Sequence, residues 1–375
     1  MKIGIDARMY SSQFTGIGRY TYELIHHLAQ MDTENEYVIF LRAEEYDAFC
    51  VPNPRVRKVL ADFPHYSLGE QIGFWKVLKR EKLDLMHFTH FNAPILYRGA
   101  YVVTIHDLTL SYFPGKKMTR FFHRLAYQLT IRNVARRTKK VIAVSHNTAQ
   151  DLKKLLQVPA SKIQVIYHGI DPHFNSALPA DIVRVKQLYG LLRPYFLYTG
   201  VWRDHKNIVG MLQAFSLFLK KVSIPFDLAI TGKENPYYPE VKEAIAAWGL
   251  TQHVRLTDLV PEADLKALYS GAFAYVFPSF YEGFGFPPLE AMQCGVPVIA
   301  SNTSSIPEVC GEGNAVFFDP YDPSAMADCM QRIAVDETLR QQLIVAGKAH
   351  VRLFKWDGMA KAVLALYSQI LHAND

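Results

Sequence analysis

Apolar residues recur along the chain in short runs rich in β-branched and aromatic side chains, with helix-length amphipathic stretches between them. Runs at 2–6, 37–41, 83–88, 101–105, 140–144 and 163–167 read as buried strands. Stretches such as 18–30 and 71–81 carry the spacing of amphipathic helices. A second series has strands at 195–199, 227–231, 254–256, 272–277, 296–300 and 314–317. Its helices are expected at 207–221, 238–248, 264–270 and 287–294, and from about 323 onward the pattern is almost wholly helical. Strands that alternate with helices predict parallel sheets covered on both faces, because each parallel pair needs a crossover.

Between the two series, 174–194 holds prolines and charges but no strand-like run. The expected architecture is therefore α/β, with two Rossmann-like doubly wound domains. We place the first at 1–175, a linker at 176–193 and the second at 194–355, with a helix at about 356–375 packing back on the first. Such sheets bind ligands outside the carboxyl ends of their strands, and two facing domains would enclose an inter-domain cleft.

Composition narrows the class. A chain of 375 residues is long for one core, and half hydrophobic with a fifth charged is ordinary globular usage. The start of the chain reaches Asp6 without a signal-like apolar run, and no stretch is apolar enough to span a bilayer. Cys50, Cys294, Cys310 and Cys329 form no CxxC pair and have no metal-ligand spacing, so they read as buried free thiols of a reducing compartment. The expected location is cytoplasmic, peripheral at the inner face of the membrane. The net charge of +6 has a local source: Gly115 to Lys140 contains nine Lys/Arg and no acid. Arg120, Phe121, Phe122, Arg124, Leu125, Leu129, Arg132, Arg136 and Arg137 fit a helix with basic and apolar faces. The stretch 116–140 suits an anionic membrane surface better than nucleic acid; a partly buried helix with solvated cations is the plainer alternative.

Four segments carry candidate chemistry. Gly16 and Gly18, in TGIGRY at 15–20, follow the first strand and open a helix, where free N–H groups and a positive dipole end favour an anion. The third glycine of a dinucleotide fingerprint is missing, and a simple turn would also use these glycines. His106 and Asp107 follow the strand 101–105, at the end where ligands bind, although Asp107 could merely cap a turn; His87 and His90 flank the preceding strand end. In 200–207, GVWRDHKN, Arg203 and Lys206 suit a diphosphate, one as a planar fork and one as a point charge, or form a solvated basic turn. The fourth, PSFYEGFGFPPLEAM, sets Glu282 and Glu290 on either side of a Gly-Phe loop whose prolines suit the first turn of a helix. Carboxylates can take hydrogen bonds from paired hydroxyls, while loop N–H groups and a helix end can take a phosphate. Together they suit a sugar linked to a phosphate.

These residues resemble the retaining glycosyltransferases of family 4, which have the GT-B fold. The likeness runs in order through GIDAR and TGIGRY, IHD at 105–107, VSHNTAQDL at 144–152 and YHGID at 167–171. It continues through YTG and HKN at 198–207, the glutamate loop, PEVCG at 307–311 and Phe354 with Trp356. The resemblance implies that Glu282 and the Gly283, Phe284, Gly285 and Phe286 backbone hold a donor sugar, and that Glu290, with Leu289 beside it, holds the ribose. Arg203 and Lys206 would bind the diphosphate, Gly16 and Gly18 would approach it from the other domain, and His106 would touch the sugar near its reacting carbon. Asp107 is counted with the substrate-binding set. Gly232, Lys233, Leu259 and Val260 would meet the base. Many relatives have Arg where this chain has His205, and the histidine form resembles a branch rich in bacterial polysaccharide and O-antigen mannosyltransferases.

The implied activity is metal-independent, cofactor-free transfer of a hexose to a glycan or lipid-linked glycan acceptor. GDP-mannose is the favoured donor. UDP-glucose or UDP-N-acetylglucosamine, or a non-catalytic nucleotide-sugar-binding role, are the alternatives.

Overall fold

The computed structural model describes residues 1–11, 16–115 and 121–372. The chain divides into two compact units: Met1–Leu108 with Lys117–Gly169 and Phe354–Asp375, and Thr109–Lys116 with Ile170–Leu353.

The first unit is a seven-stranded parallel sheet. Its strands are β1 (Lys2–Asp6), β2 (Glu36–Leu41), β3 (Val56–Leu60), β4 (Leu85–Phe88), β5 (Tyr101–Ile105), β6 (Lys140–Ala143) and β7 (Ile163–Val165). Their order is β3-β2-β1-β4-β5-β6-β7, so the winding reverses between β1 and β4. β3 is absent from the hydrophobic pattern for a physical reason. It is an edge strand, VRKVL, with no buried position, so it needs no alternation to a core. β1 and β5 are buried almost throughout, as central parallel strands should be.

The second unit repeats this plan with β8 (Tyr195–Thr199), β9 (Asp227–Thr231), β10 (Val254–Asp258), β11 (Ala274–Phe277), β12 (Val298–Ser301) and β13 (Ala315–Phe318). The order β10-β9-β8-β11-β12-β13 reverses between β8 and β11. Its core packs Phe196, Phe215, Phe218 and Phe226 against one another, with ring centroids 5.1–6.3 Å apart.

Three local outcomes differ from the pattern. The stretch read as a linker, 176–193, contains the helix Pro179–Leu188, started by a proline at its first position. That helix ties to Glu262–Ser270 through Arg184 and Asp264, 2.5 Å apart. The stretch 71–81 opens with a π-helical turn, Glu70–Phe74, before the helix Trp75–Glu81. Cys50 is exposed, whereas Cys294 and Cys310 are buried and Cys329 lies between.

The helix Trp356–His372 belongs to the first unit and packs on Gly16–Met31. It buries Trp356, Met359, Ala360, Val363, Leu366, Tyr367, Ile370 and Leu371 at helical spacing. Its docking needs Gly169, because a Cβ there would lie 2.2 Å from the backbone nitrogen of Trp356. Tyr367 also donates to His87 Nδ1 or accepts from it at 2.5 Å, and His87 Nε2 meets Thr104 Oγ1 at 2.8 Å. No helix among the described residues is long and apolar enough to cross a membrane.

Candidate active site

In the second unit the candidate residues gather at the carboxyl ends of β8 and β11, the point where strand order reverses. Doubly wound sheets open a crevice there. After β8, Arg203 begins a 3₁₀ turn, Asp204–Lys206, and Asn207 follows in a left-handed conformation with φ of 52°. The Asn207 amide donates to the carbonyls of Pro278 and Pro320, at 3.1 and 2.9 Å, which pins this turn to the exit of β11. Lys206 Nζ then lies 2.7 Å from Glu282 Oε1, both side chains being largely sheltered.

The Gly-Phe loop is held from below by serines. The Glu282 N–H donates to Ser304 Oγ, and the Ser305 hydroxyl bonds to the carbonyls of Glu282 and Phe284 at 2.9 and 3.0 Å. Gly285 has φ of 104°, open to glycine, and starts the helix Phe286–Gln293. Helix starts leave four N–H groups without an intrahelical partner. Here two of the four, Pro287 and Pro288, have no N–H, which leaves the helix start to Gly285 and Phe286. One turn further, Glu290 Oε2 accepts from the Tyr269 hydroxyl at 2.8 Å, and that hydroxyl meets Thr199 Oγ1 at 2.8 Å. Burial, with Glu290 nearby, raises the Tyr269 phenol well above its ordinary pKa, so it stays a proton donor to the carboxylate.

The ends of β8, β9 and β10 form a tight ledge beside this site. Gly200 (φ 149°) and Gly232 (φ 135°) are so close that a Cβ on Gly232 would lie 2.2 Å from the Gly200 carbonyl oxygen. Leu259 is 68% exposed just beyond β10. Arg203 is exposed as well. With Asp204, Asn207, Tyr238, Glu240 and Phe280 it lines a cavity of about 200 Å³.

In the first unit, one imidazole flagged at a strand end, His106, stacks on a second that was not flagged, His168. His106 and His168 lie 5.3 Å apart and nearly parallel, and Tyr20 sits edge-on to each at 5.0 Å. His106 Nε2 donates to the Thr89 carbonyl at 2.8 Å. Burial holds the pKa of His106 below the ordinary histidine value and those of His90 and His168 well below it, so these rings are neutral at neutral pH.

Sequence comparison agrees with this geometry. Residues 14–174 match "Glycosyltransferase Family 4" and residues 184–350 match "Glycosyl transferases group 1". The chain is 28% identical to O-antigen chain mannosyltransferase B of Escherichia coli, covering 98% of this chain and 99% of that protein. It is 30% identical to O-antigen chain mannosyltransferase RfbU of Salmonella typhimurium over 68% of this chain and 67% of the relative. The chain belongs to glycosyltransferase family 4. Its fold is GT-B, and it superposes on Anabaena HepE in complex with UDP-glucose with a TM-score of 0.78 at 18% identity, covering 98% of this chain and all of the other.

For this glycosyltransferase the structure brings together Lys206, Glu282, Glu290 and the 283–286 loop, residues up to 84 positions apart in the chain. It turns others away. Leu289 is fully buried, so its side chain cannot touch a ligand. Phe284 is likewise buried at 5%, leaving its backbone. His205, the position at which relatives differ, points inward with 6% exposure, 6.1 Å from the Phe113 ring. Arg203 and Lys206 are the less buried cations of the turn. Gly16 and Gly18 form the first helical turn and Gly18 is buried, while Thr15 of the same motif lies outside the described residues. Asp107 follows β5 beside His106; Lys233 sits exposed past β9, and Val260 half-buried past β10.

The positioning residues Thr199, Tyr269, Ser304 and Ser305 were not visible in the sequence pattern. Each is an unremarkable polar residue until the sheet places it under the loop. Ser304 at φ 52° is the one signal of strain among them.

Proposed function

We propose that the protein transfers mannose from GDP-mannose, with retention of configuration, to a lipid-linked glycan acceptor during polysaccharide assembly. The observation that carries this reading is the Lys206–Glu282 pair beside the Phe286 helix start, with Glu290 held by Tyr269. The carboxylates suit sugar and ribose hydroxyls, and the ammonium with the helix end suits a diphosphate. The mannosyl donor rests on the names of the two O-antigen relatives.

In this reading Lys206 and Arg203 neutralise the departing diphosphate in place of a metal ion. The acceptor hydroxyl attacks from the side the phosphate leaves, and the departing phosphate oxygen takes its proton. His106, neutral with its one proton on Nε2 toward Thr89, leaves Nδ1 to accept a hydrogen bond from a sugar hydroxyl. The helix Phe121–Arg137 would rest on an anionic membrane where such an acceptor is found. It keeps Tyr127, Ile131, Val134 and Ala135 inside and leaves Leu125, Leu129, Arg132 and Arg136 outside. Lys116, Lys117 and Arg120 of the same basic stretch lie outside the described residues.

The test is a melting-temperature panel with GDP-mannose, GDP, UDP-glucose, UDP-N-acetylglucosamine and UDP, followed by turnover with excess chelator. A ligand at a hundred times its Kd stabilises by about 2.7 kcal/mol, so the guanine pair should stand out. A larger shift with a uridine ligand would replace the donor, and no shift with any would end the donor-site reading. Loss of turnover in chelator would end the metal-free mechanism.

A further inference from the structure

The first unit has its own strand reversal, between β1 and β4, and the donor reading assigns this sheet edge only Gly16 and Gly18 after β1 and His106 after β5. A parallel sheet opens a crevice at such a point. What stands beside it is Tyr66. The residue is 64% exposed, yet its backbone is left-handed, with φ of 61°. A bulky aromatic residue rarely adopts this conformation, which glycine adopts freely. The phenol is partly desolvated, its pKa raised to about 12, while most of the residue's surface stays open, so the ring lies in a recess rather than in a core.

The conformation is imposed from inside. The Tyr66 N–H donates to Glu70 Oε2 at 2.8 Å. Glu70 has no exposed surface; both its oxygens accept from the Asn92 amide at 2.7 Å, and Arg8 joins it to Asp6. Arg8 in turn lies 3.9 Å from the centre of the Phe74 ring. Breaking a buried network of this kind is costly, so the Tyr66 backbone is anchored to a buried, fully bonded polar cluster. Around its ring stand His90, nearly perpendicular at 6.4 Å, Phe91 at 6.2 Å and His65 at 6.4 Å. The Asp107 carboxylate lies within electrostatic reach of the phenol.

A pyranose ring has one face of C–H groups and a rim of hydroxyls. A fixed aromatic face with imidazoles and a carboxylate around it matches that chemistry, because the face takes the C–H groups and the polar neighbours take the rim. We propose that Tyr66, with His65, His90 and Asp107, forms a stacking subsite for a sugar ring of the acceptor. This rests on the transferase reading above, which requires a second, hydroxyl-bearing substrate. Leu68 and Ile72, 82% and 51% exposed, lie near in sequence, so an aliphatic chain is the rival occupant to be distinguished.

The experiment is saturation-transfer NMR on the full chain with GDP present. The probes are hexyl α-D-mannopyranoside and hexyl N-acetyl-β-D-glucosaminide. Wild type, Tyr66→Phe and Tyr66→Trp should transfer saturation to the ring protons of at least one probe. Tyr66→Gly should lose at least fivefold of that signal while its melting temperature holds or rises, since glycine relieves the backbone. Ring transfer that persists in Tyr66→Gly, transfer confined to the hexyl chain, or no ring transfer to wild type would each overturn the subsite. The donor reading fails by a separate sign: no nucleotide shifts the wild-type melting temperature.

Discussion

At the scale of residues, the Lys206–Glu282 contact concentrates the chemistry. Each group is placed by a different strand end, and each is the nearest counter-charge of the other at 2.7 Å. A donor that brings a diphosphate to one and hydroxyls to the other must loosen this pair as it binds. Preorganised charges of this sort are worth about 3–4 kcal/mol in a transition state, so Lys206→Ala should lower kcat by about a hundredfold or more. Glu282→Gln keeps the shape and removes the charge. Because the two side chains touch, losses in the double variant should fall well short of the product of the single losses. Steady-state kcat/KM for the four proteins measures this, and strictly multiplicative losses would show that the contact is incidental to turnover.

At the scale of elements, motifs far apart in the chain turn out to be two sides of one joint. YHGID at 167–171 and the aromatic pair Phe354 and Trp356 looked unrelated in sequence. The structure brings Gly169 against the start of the C-terminal helix, with no room for a methyl group. Gly169→Ala should therefore displace that helix and destabilise the first unit by about 1–3 kcal/mol, the usual cost of overpacking. Urea unfolding followed by far-UV circular dichroism would record it, and an unchanged midpoint would mean the joint relaxes without cost.

This joint also marks how far the sequence could be read. The central strands were legible because burial on both faces leaves long apolar runs; β5, β8 and β9 coincide with their predicted ranges. The edge strand β3 was not, since it buries nothing. The glutamate loop was legible because two glycines, two phenylalanines and two prolines in one short span have few structural uses. Tyr269 and Ser305 were not, because their role exists only once β8, β11 and β12 lie side by side. Leu289 was misread as a contact because a motif gives spacing but not which way a helix faces.

At the scale of the whole molecule, the first unit carries a set of buried histidines that governs how it meets acid. His87 is fully buried in the first unit and burial pushes its pKa down to about 3. His90, His106 and His168, in the same unit, are also lowered by burial. The unfolded chain takes up protons at these rings as pH falls below about 6.5, while the folded unit does not. Stability is therefore complete above that pH and is lost as pH falls toward 3; His87 alone accounts for about 5 kcal/mol across the full range. Between pH 6.5 and 4.5, where few carboxylates titrate, the urea midpoint of the wild type should fall. His87→Asn should fall less steeply over the same interval. Parallel slopes would remove His87 as a cause.

The return of the Trp356–His372 helix to the first unit also sets an order of events during synthesis. Domains made on the ribosome ordinarily fold as they emerge, the first before the second. Here the first sheet leaves the exit tunnel lacking the helix that covers Gly16–Met31 and partners His87. All of 170–353 must be translated before that helix appears, about 10–40 s at ordinary elongation rates. During that interval the second unit can complete its core while the first waits with an apolar helix face uncovered. The nascent chain is thus most open to chaperones, and to aggregation, at the end that was made first.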